Sequence, residues 1–143
     1  MASDGTHDRE ADLGWLLRGL VDQVPHTRSA VLLSSDGLAT AAYGLGADAA
    51  DHLSAIASGL FSLARTASSR FGGSDGVRQV VAELDDTLLF VSSAGFGSVL
   101  TVLADREADA GVLGYEMSQL VKSVRPFLAT PPRRPDAAIT PGD

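Results

Sequence analysis

The chain of 143 residues contains no cysteine. Disulfides, thiolate nucleophiles and cysteine-ligated zinc are therefore excluded. Lysine is nearly missing too: Lys122 is the only one among eleven basic residues. Acidic residues number 18, and the formal net charge is -7. That balance argues against nucleic acid or an anionic membrane as partner, since phosphate-rich surfaces are met by basic patches. No run approaches the roughly 18 apolar residues of a spanning helix. The first ten residues, MASDGTHDRE, lack the apolar stretch of a signal peptide. A cytoplasmic location is the expectation. Motifs of chemistry are missing as well. There is no GxxxxGK[ST] phosphate loop and no HExxH zinc pair.

What is present is ample material for one domain. Hydrophobic residues make up 45% of the chain, enough for a sizeable core at this length. The most telling stretch is Val77 to Leu103, VRQVVAELDDTLLFVSSAGFGSVLTVL. It reads as three short strands joined by tight turns at Asp85-Asp86 and Gly95-Phe96-Gly97. Leu88–Val91 and Val99–Leu103 are almost continuously apolar, as strands are when both faces are covered. The reading is an antiparallel meander between helices.

Leu13, Leu16, Leu17, Leu20 and Val24 recur at helical spacing from about Glu10, and Pro25 ends that helix. Ala30–Leu33 is a strand, Ser34–Gly37 a hairpin turn, and Leu38–Tyr43 the returning strand. Asp48 is the expected cap of a long helix that runs to about Phe71 and stops at Gly72-Gly73. A last helix runs from about Glu107 to Val124 or slightly beyond, with Leu113, Met117, Leu120, Val121 and Val124 on one face. The element order is α-β-β-α-β-β-β-α, an α+β arrangement. Residues 1–9 are expected to be a flexible lead, 10–128 the domain, and the proline-rich 129–143 a disordered tail.

The long helix carries two stripes. Leu53, Ile56, Leu60, Leu63 and Ala67 read as its core face. One step round, Ala50, Ser54, Ala57, Phe61, Ala64 and Ser68 form a face of small residues with one aromatic. Such a face admits another helix closely, although weak amphipathicity in an alanine-rich helix gives the same pattern. On the first reading Ala50, Ala57, Phe61 and Ala64 belong to a self-association interface with Phe61 as anchor. Val77, Gln79 and Val81 of the following strand, which has no proline to block its edge, join them.

Residues that could bear chemistry have simpler readings. Gly44-Leu-Gly46-Ala-Asp-Ala49 imitates a dinucleotide turn, but it follows a hairpin and precedes a meander, and Asp48 and Asp51 would repel phosphate. His52 with Asp48 and Asp51 is a solvated first helical turn. Asp85 and Asp86 sit at a hairpin tip, where carboxylates point apart. Trp15 reads as packing. No catalytic, cofactor or metal residues are assigned, and no cofactor is expected.

Ser34-Ser-Asp-Gly-Leu-Ala39, Ala55-Ile-Ala-Ser-Gly-Leu-Phe-Ser-Leu-Ala64, Val77–Leu84 and Gly114-Tyr-Glu-Met-Ser-Gln-Leu-Val121 together resemble the roadblock/dynein light chain family, over about residues 10–128. The likeness is to its actinobacterial members. It implies a five-stranded antiparallel sheet with helices on both faces, a sandwich of roadblock, longin and profilin type. It also implies a homodimer through the third strand and long helix, and a role as non-catalytic partner of a Ras-like small GTPase, with a sensor-kinase-like protein as a further partner. On that footing Asp51, Ser54, Ala55, Ser58, Ser62, Arg65 and Ser69 are the candidate partner-binding surface. Two other classes compete. A small-ligand sensor would need a concave apolar pocket with convergent polar groups, and a hydrolase would need clustered titratable groups.

Overall fold

Alternation along the central strands divides the core into two layers. The computed structural model describes residues 2–129, with side chains from 11 to 128. Its elements are α1 (Ala2–Gln23), β1 (Thr27–Ser34), β2 (Ala39–Tyr43), α2 (Ala47–Phe71), β3 (Gln79–Glu83), β4 (Thr87–Gly95), β5 (Ser98–Asp105) and α3 (Ala110–Ala129). The expected order of elements is met. The five strands form one antiparallel sheet in the order β2-β1-β5-β4-β3.

Side chains on successive strand residues point to opposite faces. Ala30, Leu32, Leu88, Phe90, Leu100 and Val102 therefore meet α1 and α3, where Leu13, Leu17, Leu113 and Met117 close the layer. Val31, Leu33, Leu89, Val91 and Val99 face the other way and meet α2. This explains the unbroken apolar runs of β1, β4 and β5, which are sheltered on both sides. Complete burial of a side chain such as Phe90 or Leu33 contributes about 1.5–3 kcal/mol.

The turns follow the sequence closely. Gly95, Phe96 and Gly97 all have positive φ, at 83°, 54° and 74°, so the glycines flank the one residue there that tolerates that conformation poorly. Gly73, at φ 84°, turns the chain out of α2. Asp85-Asp86 separates β3 from β4 as expected.

Several boundaries differ. α1 begins at Ala2 rather than near Glu10. Gly46, not Asp48, is the N-cap of α2, and Asp48 sits in the first turn, where its charge still favours the helix dipole. β3 spans only Gln79–Glu83, which leaves Val77 and Leu84 outside it. α3 starts later than expected because Asp109 caps it, its Oδ1 accepting from the Val112 amide at 3.0 Å. It ends at Ala129, a little beyond Val124 as expected, with Pro126 inside it. Trp15, read as packing, is 72% exposed. Of the tail expected over 129–143, Ala129 ends α3, and 130–143 lie outside the described residues.

Candidate functional site

α2 is rotated from the orientation that its large side chains suggest. Ala50, Leu53, Ser54 and Ala57 are buried against the sheet, with Leu60 and Phe61 packed partly behind them. Ile56 is 54% exposed and Leu63 70% exposed, and Ala67 is exposed as well. The core stripe and the outer stripe thus exchange places at Ile56, Leu63 and Ala67. The reason is space. Small residues let the helix lie low on the branched side chains of β1, β4 and β5, and larger ones in their place would lift it off.

This corrects the expected self-association face. Ala50 and Ala57 are sequestered within the chain, Ala57 completely. Phe61 and Ala64 are half-buried at the helix–sheet boundary. In β3 the side chains alternate, with Val80 and Ala82 under α2 and Gln79, Val81 and Glu83 exposed on the other face. Val77 is half-buried in the preceding loop. The outer edge of β3 has no strand beside it among the described residues.

The seven partner-surface residues also divide. Asp51, Ala55, Ser62, Arg65 and Ser69 are exposed. Ser54 is not: it is wholly buried and its Oγ has no hydrogen-bond partner among the described residues, so its place on that surface is corrected. Ser58 is half-buried, and its Oγ donates to the Ser35 carbonyl at 2.7 Å, fastening α2 to the β1–β2 turn. Arg65 reaches Asp75 at 3.8 Å with both side chains well exposed, a contact worth little on its own. Near the end of α2, Ser68 Oγ lies 2.9 Å from the carbonyls of both Ser74 and Gly76. The loop that delivers the chain to β3 is thereby held against α2.

One cluster escaped the reading of the sequence. His26, Asp105 and Glu107 bring one ligand atom each within 4.8 Å of one another. His26 is remote in the chain from Asp105 and Glu107 until the β1–β5 pairing joins them, so spacing gave no signal. Arg28 Nε already holds Asp105 at 3.1 Å, which supplies the positive charge a cation would bring. Asp48, Asp51 and His52 make no comparable group. Among the described residues no helix is long and apolar enough to cross a membrane.

The architecture is that of an α/β/α sandwich whose outer helix presents an apolar row beside an unpaired strand edge. The chain belongs to the Roadblock/LC7 family: the Roadblock/LC7 domain model matches residues 13–104. It is similar to a crystallised Roadblock/LC7 domain from Streptomyces avermitilis, at 66% identity and TM-score 0.80 over 82% of this chain and 98% of that one. A second Roadblock/LC7 domain from the same organism is 40% identical, with TM-score 0.63 over 78% of this chain and 96% of that one. Myxococcus xanthus MglB shares the fold at 13% identity, with TM-score 0.72 over 81% of this chain and 94% of that one. No protein of curated function matches the chain. The expected five-stranded sheet with helices on both faces is met.

Proposed function

We propose that the chain is a non-catalytic homodimeric scaffold of a bacterial signalling system, which binds a Ras-like small GTPase in the cytoplasm and modulates its cycle. The observation that carries this reading is the outward display of Ile56 and Leu63 on α2, on the sheet face that continues to the open edge of β3. An isolated exposed leucine needs no explanation, but two large apolar residues in one helical row, next to a strand edge without proline, suit a protein partner. Pairing β3 with its symmetry mate is an isologous contact about a two-fold axis. An axis normal to the sheet keeps both α2 helices on the same face. Their outer surfaces then form one broad platform for the GTPase, with Asp51, Ala55, Ser62, Arg65 and Ser69 within it. Ser58 stands at its margin. A sensor-kinase-like protein is a further partner suggested by the family likeness.

The test has two parts. Sedimentation equilibrium at micromolar concentration should give a dimer. Calorimetry against Ras-like GTPases of the same organism, loaded with GDP or a GTP analogue, should give binding in at least one state. A monomer removes the platform, and a dimer that binds no GTPase in either state removes the function.

A further inference from the structure

On the sheet face opposite α2, a groove of about 670 Å³ runs between α3 and the β3–β4 margin. Its charged lining residues are Arg78, Lys122 and Arg125, and no aspartate or glutamate lines it. In a chain with 18 acidic and eleven basic residues, this sign reversal is local and pronounced. All three cations are exposed, and none forms an ion pair among the described residues. Lys122 and Arg125 lie three residues apart on α3, on the same face as Ser118.

The groove also holds a polar group without a partner among the described residues. Ser92 is 7% exposed, lines the floor, and its Oγ makes no hydrogen bond there. It alternates in phase with Phe90 and Ala94, both packed in the layer beneath α1 and α3, so its hydroxyl is on the groove side of β4. Across from it, the Gln79 amide lies over Gly114: a β-carbon there would come 3.6 Å from Oε1 and 3.7 Å from Nε2. Gly111, Gly114 and Ser118 keep the α3 wall low.

We propose that this groove binds an extended acidic segment of a partner polypeptide. Its carboxylates meet Arg78, Lys122 and Arg125, and its main chain takes the Gln79 amide and the Ser92 hydroxyl. An acidic segment fits because all the charged side chains that line the groove are cations, drawn from both of its walls: Arg78 beside β3, and Lys122 and Arg125 on α3. The low glycine wall admits a backbone, whose alternating donors and acceptors match an amide and a hydroxyl. The site lies on the sheet face opposite α2 and the proposed GTPase platform, with Gln79 of the edge strand β3 in its wall.

Fluorescence anisotropy with the full chain and a labelled decapeptide of alternating glutamate and serine tests it. Saturable binding is expected that weakens as salt is raised. The doubly substituted Lys122→Glu, Arg125→Glu protein should bind at least about tenfold more weakly, with an unchanged melting temperature because both side chains are exposed. Gly114→Leu, which fills the groove without altering charge, should reduce binding as well. Absence of saturable binding, equal binding by both variants, or equal binding of the lysine–serine decapeptide overturns the proposal. Displacement of the peptide by inorganic phosphate more readily than by free glutamate also overturns it, in favour of a small-anion site.

Discussion

Thr101 and Phe90 are joined across β5 and β4 by a hydrogen bond that water does not reach, the threonine hydroxyl donating to the Phe90 carbonyl at 2.9 Å. Thr101 is 0% exposed and faces Val91 directly across the ladder. Thr101→Val keeps the branched shape and removes the donor. It should lower stability by about 1 kcal/mol. Urea denaturation should show a lower midpoint with an unchanged slope. An unaltered midpoint would mean that the hydroxyl contributes nothing net.

Two glycines should respond in opposite directions to alanine. Gly44 has φ 89°, and a β-carbon on it would sit 2.5 Å from the Arg28 carbonyl oxygen. That oxygen belongs to β1, whose position is fixed by β2 and β5, so it cannot retreat cheaply. Gly44→Ala should cost more than about 2 kcal/mol, since left-handed backbone alone costs roughly 1–2. Gly59 lies inside α2, and a methyl group in place of its hydrogen would meet nothing within 4 Å. Gly59→Ala should stabilise by about 0.5–1 kcal/mol. Thermal denaturation of the two variants side by side checks the contrast.

The rotation of α2 makes the dimer reading testable at specific positions. Leu63→Asp places a charge on an exposed site and should change the stability of the single chain by no more than about 0.5 kcal/mol. Dimer dissociation measured by sedimentation should become at least about tenfold easier. Ala57→Leu should instead overpack the helix–sheet boundary and cost about 1–3 kcal/mol of folding stability. A dimer indifferent to Leu63→Asp would mean that this row is covered by something other than a second copy.

Arg65 is the largest side chain among the exposed partner-surface positions. Arg65→Glu removes its weak pairing with Asp75 and should leave folding and dimerisation unchanged. It should weaken GTPase binding by about 1.4 kcal/mol or more, a tenfold change in Kd by calorimetry. Equal affinity of the two proteins would move the contact elsewhere on the platform.

The strands were legible because their burial is written in composition. Val99–Leu103 could be continuous only if both faces were covered, and the structure covers both. The face of α2 was not legible in the same way. Hydropathy ranks Ile56 and Leu63 above Ala50 and Ala57, but the sheet selects for closeness of approach. The decisive quantity is the gap between backbone and sheet, which no single helix encodes. The same holds for His26, Asp105 and Glu107 and for the Arg78–Lys122–Arg125 groove. In each, strand pairing or helix packing brings a residue remote in sequence, His26 or Arg78, to a pair that is close in the chain. Trp15 misled for a related reason, since an aromatic among leucines gives no sign of which side of the helix the neighbouring layer will occupy.

The strand order also governs when the chain can fold. β1 pairs with β2 on one side and with β5 on the other, the latter in register from Ser29↔Leu103 to Ser34↔Ser98. During synthesis β1 therefore waits, with half its ladder open, until nearly the whole domain has emerged. Contacts of such sequence separation slow folding and leave an apolar strand available to wrong partners in the interval. A nascent chain ending before Ser98 should accordingly be recognised by chaperones, whereas release of β5 should close the sheet in one cooperative step.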